Sequence, residues 1–169
     1  KIMTDLEPTI NKTKLNYRYW LHRQQIKGNI SDDYFLYFCT THFNLKQSIY
    51  NNKKILDIGC GPCGSLEWAN NAEERIGLDP LVGIFELLDT INHKMKYVKG
   101  VGECIPYDDQ YFDITISFFA LNYADDLEMT IREIIRTLRN GGLFLLITEV
   151  NHDPTLSQPS SFSWEIVSN

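Results

Sequence analysis

Cysteine is scarce in this sequence, and it contains no long apolar run. The four cysteines, Cys39, Cys60, Cys63 and Cys104, are too few and too irregularly spaced for a disulfide framework in a chain of 169 residues that can build a core. No apolar run approaches the length of a membrane helix, and the first residues lack the charged, apolar and small-residue pattern of a signal peptide. We therefore expect reduced thiols and a soluble, cytoplasmic protein with no membrane partner.

Basic residues are also in deficit. Lys and Arg number 16 against 22 Asp and Glu, which gives a formal net charge of −6. A protein that binds nucleic acid through its overall charge normally has the opposite balance. We therefore expect a small-molecule partner and no nucleic acid, and the length suits one domain with a single core.

Short apolar segments alternate with helical patterns from residue 53 onward. Strands are predicted at 55–58, 75–78, 95–98, 112–118 and 143–147. Helices are predicted at 65–71, at 82–91 and around 127–138. The last of these helices should end at the Gly141-Gly142 pair. Such alternation is typical of an α/β fold with a doubly wound, mostly parallel sheet and helices on both faces.

The segments on either side of this core differ from it in composition. Residues 8–31 contain basic and aromatic side chains and no acid, whereas Asn, Asp, Pro, Ser and Thr dominate after residue 150. We divide the chain into a helical lead-in or cap at 1–52, a core at 53–150, and a polar tail or connection to a further part at 151–169. The basic aromatic segment from Lys12 to Lys27 fits three roles: packing on the core, a lid over a cofactor, or a site for an anionic substrate.

The turn after the first predicted strand is rich in glycine and begins Asp57-Ile58-Gly59-Cys60-Gly61. With Gly64 and Asp79 downstream, it matches the dinucleotide fingerprint, in which main-chain amides and a helix N-terminus hold a pyrophosphate. The Asp57 carboxylate, however, would face that anionic group at close range. S-adenosylmethionine carries a sulfonium and an ammonium and no phosphate, so Asp57 favours methyl transfer over NAD chemistry.

Cys60 and Cys63 also form the C-x-x-C of thioredoxin-like proteins, and Ile105-Pro106 imitates the cis-proline segment of that class. Gly59 replaces the tryptophan that usually precedes the first cysteine, and redox chemistry would leave the two aspartates without a role. We interpret both cysteines as small residues tolerated in a tight turn.

Three ordered motifs between about residues 53 and 150 resemble class I S-adenosylmethionine-dependent methyltransferases, of the group called methyltransferase type 11. These motifs are Asp57-Ile58-Gly59-Cys60-Gly61 after a strand, Gly77-Leu78-Asp79 at the end of strand two, and the segment from Gly100 to Asp113. The segment from Leu138 to Leu143 is similar to the family's turn into strand five. The resemblance implies a Rossmann-like sheet of order 3-2-1-4-5-7-6, of which we expect this chain to lack the last two strands.

The resemblance also implies a cofactor site, with S-adenosylmethionine as methyl donor, S-adenosylhomocysteine as product and no metal. Gly59 and Gly61 would let the main chain approach the methionine part, because no Cβ intrudes. Asp79 would accept hydrogen bonds from both ribose hydroxyls. The predicted cofactor-binding residues are Asp57, Gly59, Cys60, Gly61, Asp79, Pro80, Leu81, Gly102, Glu103 and Phe118.

Adenine recognition departs from the family pattern at Val101, where many members have an aspartate. Pro80 and Leu81 would flank the adenine, and main-chain groups at Gly102 and Glu103 would then contact it. The resemblance implies the contacts of Pro80 and Leu81 through the second motif, which they follow, and those of Gly102 and Glu103 through the third.

Methyl transfer is a direct displacement at a sulfonium that its own charge activates, so the protein mainly supplies orientation and a catalytic base is optional. The candidates for a base after strand four are Asn122 and Tyr123, in a loop where the family often carries histidine. We interpret Asp125 or Asp126 as a helix cap. The predicted activity is methyl transfer to a small-molecule acceptor. An NAD-dependent oxidoreductase and a non-catalytic S-adenosylmethionine-binding domain remain as alternatives.

Strand five, at 143–147, is apolar on both faces, which is typical of an interior strand and unsuited to an exposed edge. We expect its edge to be covered by strands of a longer product, by a second chain in a homo-oligomer, or by the tail at 154–167. Pro154 and Pro159 disfavour the tail.

Overall fold

Two helices precede an alternation of strands and helices in the computed structural model, which describes residues 6–27, 32–85, 88 and 90–163. The elements are α1 (Leu6–Lys27), α2 (Asp32–Cys39), β1 (Lys54–Ile58), β2 (Glu74–Asp79), α3 (Val82–Phe85), β3 (Lys96–Lys99), β4 (Phe112–Phe118), α4 (Leu127–Thr137) and β5 (Leu138–Ile147). Short 3₁₀ turns cover Thr41–Phe43, Gln47–Tyr50 and Leu121–Tyr123. Among the described helices, none combines the length and the apolar character needed to cross a membrane.

The strands form one parallel sheet of order β3-β2-β1-β4-β5, which confirms the predicted α/β fold. Successive residues of a strand point to opposite faces of the sheet. In the central strand β1, Ile55 packs in one apolar cluster and Leu56 in another, and both side chains are fully buried. Because the strands are parallel, β1, β2 and β4 end at the same edge, which brings Asp57, Asp79 and Phe118 to that edge.

Residues 65–71, predicted as a brief helix, form a series of turns instead. Their main-chain hydrogen bonds mostly join residues three apart rather than four. Side chains donate hydrogen bonds to main-chain carbonyls that, in a helix, would accept from main-chain N–H groups. Trp68 Nε1 donates to the Ser65 carbonyl at 2.9 Å, and Arg75 Nη1 donates to the Glu67 carbonyl at 3.1 Å.

The helix predicted at 82–91 is also shorter than expected. α3 ends at Phe85, and Ile91 lies in a turn. Residues 86, 87 and 89 lie outside the described residues.

The sequence predicts that the Gly141-Gly142 pair ends α4. In the structure the pair lies inside β5 instead. α4 ends at Thr137, and Leu138, with φ −80° and ψ 130°, already has extended geometry. The pairing with β4 then shifts before Leu143, so residues 139–142 form an irregularity in the strand, and Gly141 has φ +73°. Glycine therefore permits the bulge rather than the helix end.

Within the described residues, β5 pairs only with β4 and lies at an edge of the sheet. The least favoured of the three alternatives, pairing of this strand with the tail at 154–167, is wrong for residues 154–163, and residues 164–167 lie outside the described part. The tail folds back elsewhere. Asn151 N–H donates to the Phe162 carbonyl at 2.8 Å, and Ser160 N–H donates to the Asn122 carbonyl at 3.2 Å. The Phe162 side chain is buried in the core, and this burial helps to hold the tail in place although the tail forms no strand pairing with β5.

Candidate functional site

A cavity of about 440 Å³ lies at the edge of the sheet where β1, β2 and β4 end. α1 and α2 contribute residues to its wall. Ligand pockets are typically about 300 to 1,000 Å³, and open parallel sheets bind ligands at this edge. Of the residues predicted for the site, all except Gly61 line the cavity: Asp57, Gly59, Cys60, Asp79, Pro80, Leu81, Gly102, Glu103, Phe118, Asn122 and Tyr123.

The turn after β1 leaves no room for side chains. Gly59 has φ +71°, and a Cβ there would lie 2.3 Å from the Ala120 Cβ. Gly61 has φ +58°, and a Cβ there would lie 2.5 Å from Cζ2 of Trp20. Gly61 therefore lies against the Trp20 indole of α1, and both positions require glycine.

Asp79, at the end of β2, ties the glycine turn after β1 to the segment that follows β2. Its Oδ2 accepts a hydrogen bond from the Gly61 N–H at 3.1 Å, and its Oδ1 accepts one from the Leu81 N–H at 2.8 Å. The side chain is buried, and burial raises the pKa of Asp79, although the bonds from Leu81 and Gly61 lower it in part. The Asp79 carboxylate, a hydrogen-bond acceptor, is therefore held in a fixed position where β1 and β2 end.

Asp57 is the second buried carboxylate of the cavity, with 4% exposure. It accepts a hydrogen bond from the Ser65 hydroxyl. The pKa of Asp57 is raised to about 7, because burial and, to a smaller extent, the charge of Asp79 raise it by more than the Ser65 bond lowers it. A nearby positive charge would favour the ionised form, so the site suits a cationic ligand.

Carboxylates outnumber cations in the wall of the cavity. Among the described residues, Lys12 and Arg23 are the cations that line it. The acids that line it are Asp57, Asp79, Glu103, Asp125 and Glu149.

Glu103 fixes the loop that follows β4. Its Oε1 accepts hydrogen bonds from the N–H groups of Asp125, at 2.7 Å, and Asp126, at 3.1 Å. The Asp126 side chain caps α4 by accepting from the Met129 N–H at 2.9 Å, which confirms the predicted helix cap.

Asn122 lies in the same loop and is 1% exposed. Its Oδ1 accepts from the Thr148 hydroxyl, and its Nδ2 donates to the Glu149 carbonyl at 3.2 Å. His152 Nδ1 lies 2.9 Å from the Asp153 carbonyl and must donate to it, so His152 Nε2 accepts from Asn122 Nδ2. The amide of Asn122 is thus bonded within the protein on both sides.

α1 borders the cavity through one face. Lys12 Nζ donates to the Tyr123 carbonyl and pairs with Asp125 Oδ1 at 2.8 Å. Tyr19 and Trp20 line the cavity, and the Arg23 guanidinium lies 5.8 Å from the centre of the Trp20 ring. The basic aromatic segment therefore contributes directly to the wall.

Four aromatic wall residues were not singled out from the sequence: Tyr34, Phe35, Phe38 and Phe119. The only signal was the density of aromatic residues near residue 34. Nothing in the sequence predicted that α2, which contains Tyr34, Phe35 and Phe38, would lie beside the end of β4.

A family model described as a methyltransferase domain matches residues 56–146, a range that extends from β1 to β5. The chain belongs to this methyltransferase family. Members of the family use S-adenosylmethionine as methyl donor. Membership decides against the dinucleotide interpretation of the glycine turn.

Individual relatives agree with the family assignment. The methyltransferase domain is 28% identical over 112 residues to the uncharacterized methyltransferase YcgJ of Bacillus subtilis, which covers 62% of this chain and 44% of YcgJ. The YcgJ crystal structure matches with 25% identity and a TM-score of 0.54, over 65% of this chain and 51% of that one. The chain spans less than half the length of the curated relatives that it matches.

Two further relatives have named activities. The domain is 32% identical to a malonyl-[acyl-carrier protein] O-methyltransferase of Enterobacter lignolyticus, over 56% of this chain and 38% of that protein. It is 29% identical to a sterol 24-C-methyltransferase of Gibberella zeae, over 62% of this chain and 31% of that protein.

The environment of Cys60 differs from that of a redox-active thiol. Cys60 is 6% exposed, and burial raises its pKa well above the ordinary value, with the charges of Asp79 and Asp57 adding to the shift. Reactive cysteines need a lowered pKa because the thiolate is the nucleophile. The surroundings of Cys60 therefore oppose redox chemistry.

Proposed function

We propose that this methyltransferase domain transfers the methyl group of S-adenosylmethionine to a small-molecule acceptor by direct displacement. The observation that supports the proposal most is the pair of buried carboxylates, Asp57 and Asp79, in one cavity at the edge of the sheet where β1 and β2 end. Two carboxylates in a buried wall complement a sulfonium and an ammonium, whereas they would repel a pyrophosphate at close range.

The residues present fit the cofactor in shape as well as in charge. The cavity of about 440 Å³ lies within the usual range for small-molecule sites. Gly59 lines the cavity, and the absence of its Cβ lets the turn pack closely against Ala120 at the end of β4. Bound S-adenosylmethionine would supply a methyl group already activated on sulfur.

The residues of the domain then have separate tasks. Asp79 would accept hydrogen bonds from the ribose hydroxyls while its two main-chain bonds keep it oriented. Leu81 and Pro80 would flank the adenine, with main-chain groups of Gly102 and Glu103 beside it. These four residues line the cavity together.

Orientation and exclusion of water are the main contributions to catalysis in this proposal. The amide of Asn122 is held by Thr148 and Glu149, so it supports the loop after β4 rather than moving a proton. Trp20 lies against Gly61 of the glycine turn and lines the cavity, where it would help to exclude water. No general base is required of the chain.

The acceptor atom is a separate question, because the named relatives include an O-methyltransferase and a C-methyltransferase. Specificity of this kind lies in loops and caps that vary among proteins of one fold.

Titration calorimetry with S-adenosylhomocysteine and with NAD tests the cofactor. We expect S-adenosylhomocysteine to bind more tightly, and tighter binding of NAD would overturn the proposal. Mass spectrometry of an acceptor panel incubated with S-adenosylmethionine then tests turnover. A protein that binds the cofactor and methylates nothing in a broad panel would be the non-catalytic binding domain.

A further inference from the structure

Aromatic rings from α2 and from the end of β4 form a connected surface in the cavity. The rings of Tyr34 and Phe38 lie 4.9 Å apart, centre to centre. Phe38 contacts Phe119 edge to face, with a separation of 6.3 Å and an angle of 89°, and lies 6.2 Å from Phe118. All four rings line the cavity, so its wall offers a broad apolar face at this end.

Phe119 has an unfavourable main-chain conformation at its position in this surface. Its φ is +55°, a region that bulky side chains rarely adopt, and the Phe119 N–H donates to the Ile147 carbonyl at 2.7 Å. The side chain is 47% exposed, so burial in the protein does not offset the strain. Strained residues that persist in this way cluster at ligand sites.

The exposed part of the surface continues onto the helices. Tyr34 is 43% exposed and Tyr19 is 58% exposed, and both line the cavity. Exposed aromatic groups at the rim of a cavity are typical of binding sites.

The charges of the wall disfavour an anionic acceptor. Lys12 is engaged by Asp125 at 2.8 Å and by the Tyr123 carbonyl, and Arg23 lies over Trp20. These are the two cations among the described residues of the wall. A phosphate or carboxylate at the aromatic surface would lose its hydration beside a wall in which the acids outnumber the cations and Lys12 is already paired.

We infer that the surface formed by Tyr34, Phe38 and Phe119 binds the methyl acceptor, and that this acceptor is an uncharged molecule with a ring system. The rings would stack on or meet edge to face with the ring of the acceptor. The inference rests on the proposed function, because it assigns the second ligand of the same cavity.

The test compares 2-naphthol with 2-naphthoate, which share a ring skeleton and differ in charge at neutral pH. The protein is first titrated with S-adenosylhomocysteine and then, saturated with it, with each probe. We expect 2-naphthol to bind at least about tenfold more tightly than 2-naphthoate. Equal or tighter binding of 2-naphthoate, or binding of neither probe, would overturn the inference alone. Failure of S-adenosylhomocysteine to bind would overturn the proposed function as well.

The variant Phe119→Gly distinguishes a role of the Phe119 side chain in ligand binding from a role in packing. Glycine adopts positive φ without strain, so the variant should keep its Tm and its affinity for S-adenosylhomocysteine while its affinity for 2-naphthol falls by at least about tenfold. Phe119→Leu keeps an apolar side chain and should lose part of that affinity. Tyr37→Ala is the matched control, because Tyr37 is a half-exposed aromatic residue of α2 outside the cavity wall. Unchanged 2-naphthol affinity in Phe119→Gly would show that Phe119 does not contact the acceptor. If Phe119→Gly loses Tm and S-adenosylhomocysteine binding together, Phe119→Leu decides, and an unchanged 2-naphthol affinity in that variant would overturn the assignment of Phe119.

Discussion

The Asp79 carboxylate accepts a hydrogen bond from the Gly61 main-chain N–H at 3.1 Å, which ties the end of β2 to the glycine turn after β1. The other oxygen of the same carboxylate accepts from the Leu81 N–H at 2.8 Å. One buried side chain therefore positions two segments that we assign to the cofactor site. The ribose-binding role that we propose for Asp79 and its structural role would reinforce each other.

Replacing Asp79 with Ala should weaken S-adenosylhomocysteine binding by about 2 to 4 kcal/mol, because two charge-assisted ribose hydrogen bonds are lost. Titration calorimetry measures the loss directly. Asp108→Ala is the control, since Asp108 is an exposed acid outside the cavity wall. An affinity that stays the same in Asp79→Ala would show that the ribose is held by other groups.

Asp57 should make both stability and cofactor affinity depend on pH. Its pKa in the folded protein is raised to about 7 from an ordinary value of 3.8, so between these values the folded protein holds a proton that the unfolded chain has released. The free energy of unfolding of the ligand-free protein should therefore fall as pH rises from about 4 to about 7. Thermal unfolding across this range measures the effect.

A cationic ligand has the opposite dependence, because its ammonium favours the ionised form of Asp57. Affinity for S-adenosylhomocysteine should rise between about pH 6 and about pH 8, with release of a proton. Calorimetry in buffers of different ionisation enthalpy detects that proton. Asp57→Asn should reduce the pH dependence, and what remains would report Asp79, whose pKa is also raised. The Asp57 assignment fails if wild type and Asp57→Asn have the same pH profile.

The sequence was sufficient to predict the sheet because the strand signals are strong. Segments such as Ile55 to Ile58 and Phe112 to Phe118 are rich in apolar and β-branched residues and are buried on both faces. Predictions that depended on single residues were less successful. Gly141 was expected to end a helix and instead permits a bulge, because both features favour glycine at positive φ.

The candidate site was partly predictable for a similar reason. Asp57, Gly59 and Asp79 are adjacent to strand ends, and parallel strands bring their ends together. The aromatic wall could not be anticipated, because it depends on where α2 lies in space. The positive φ of Phe119 likewise has no local sequence signature, since phenylalanine normally avoids that region.

The cysteines should differ in reactivity according to burial. Under native conditions iodoacetamide should modify Cys104, which is exposed, well before Cys60, whose pKa is raised by burial. Peptide mass spectrometry over time measures both rates, and unfolded protein serves as the control in which all the cysteines react. Replacing Cys60 and Cys63 with Ser should leave cofactor affinity nearly unchanged. A reversible disulfide between them, with loss of function on substitution, would restore the redox interpretation.

The free edge of β5 should not remain exposed in solution. In the described part of the chain β5 pairs only with β4, yet its residues Leu143, Phe144, Leu146 and Ile147 are apolar and partly buried. A long apolar edge strand presents unpaired N–H and C=O groups that can pair with another chain. We therefore expect the protein to associate through β5, and sedimentation velocity over a range of concentrations should show the association.

Leu146→Lys tests the location of that contact, because a charged side chain on an edge strand opposes pairing between chains. The variant should shift the sedimentation profile towards the monomer while S-adenosylhomocysteine binding is retained, which shows that the fold is intact. Ile91→Lys adds the same charge at a position that is 81% exposed and far from β5 in the sequence, so it should leave association unchanged. Amide exchange adds an independent measurement, since strand pairing would slow exchange along β5. A monomer at every concentration, with fast amide exchange at Leu145 and Ile147, would show that the edge is stable without a partner.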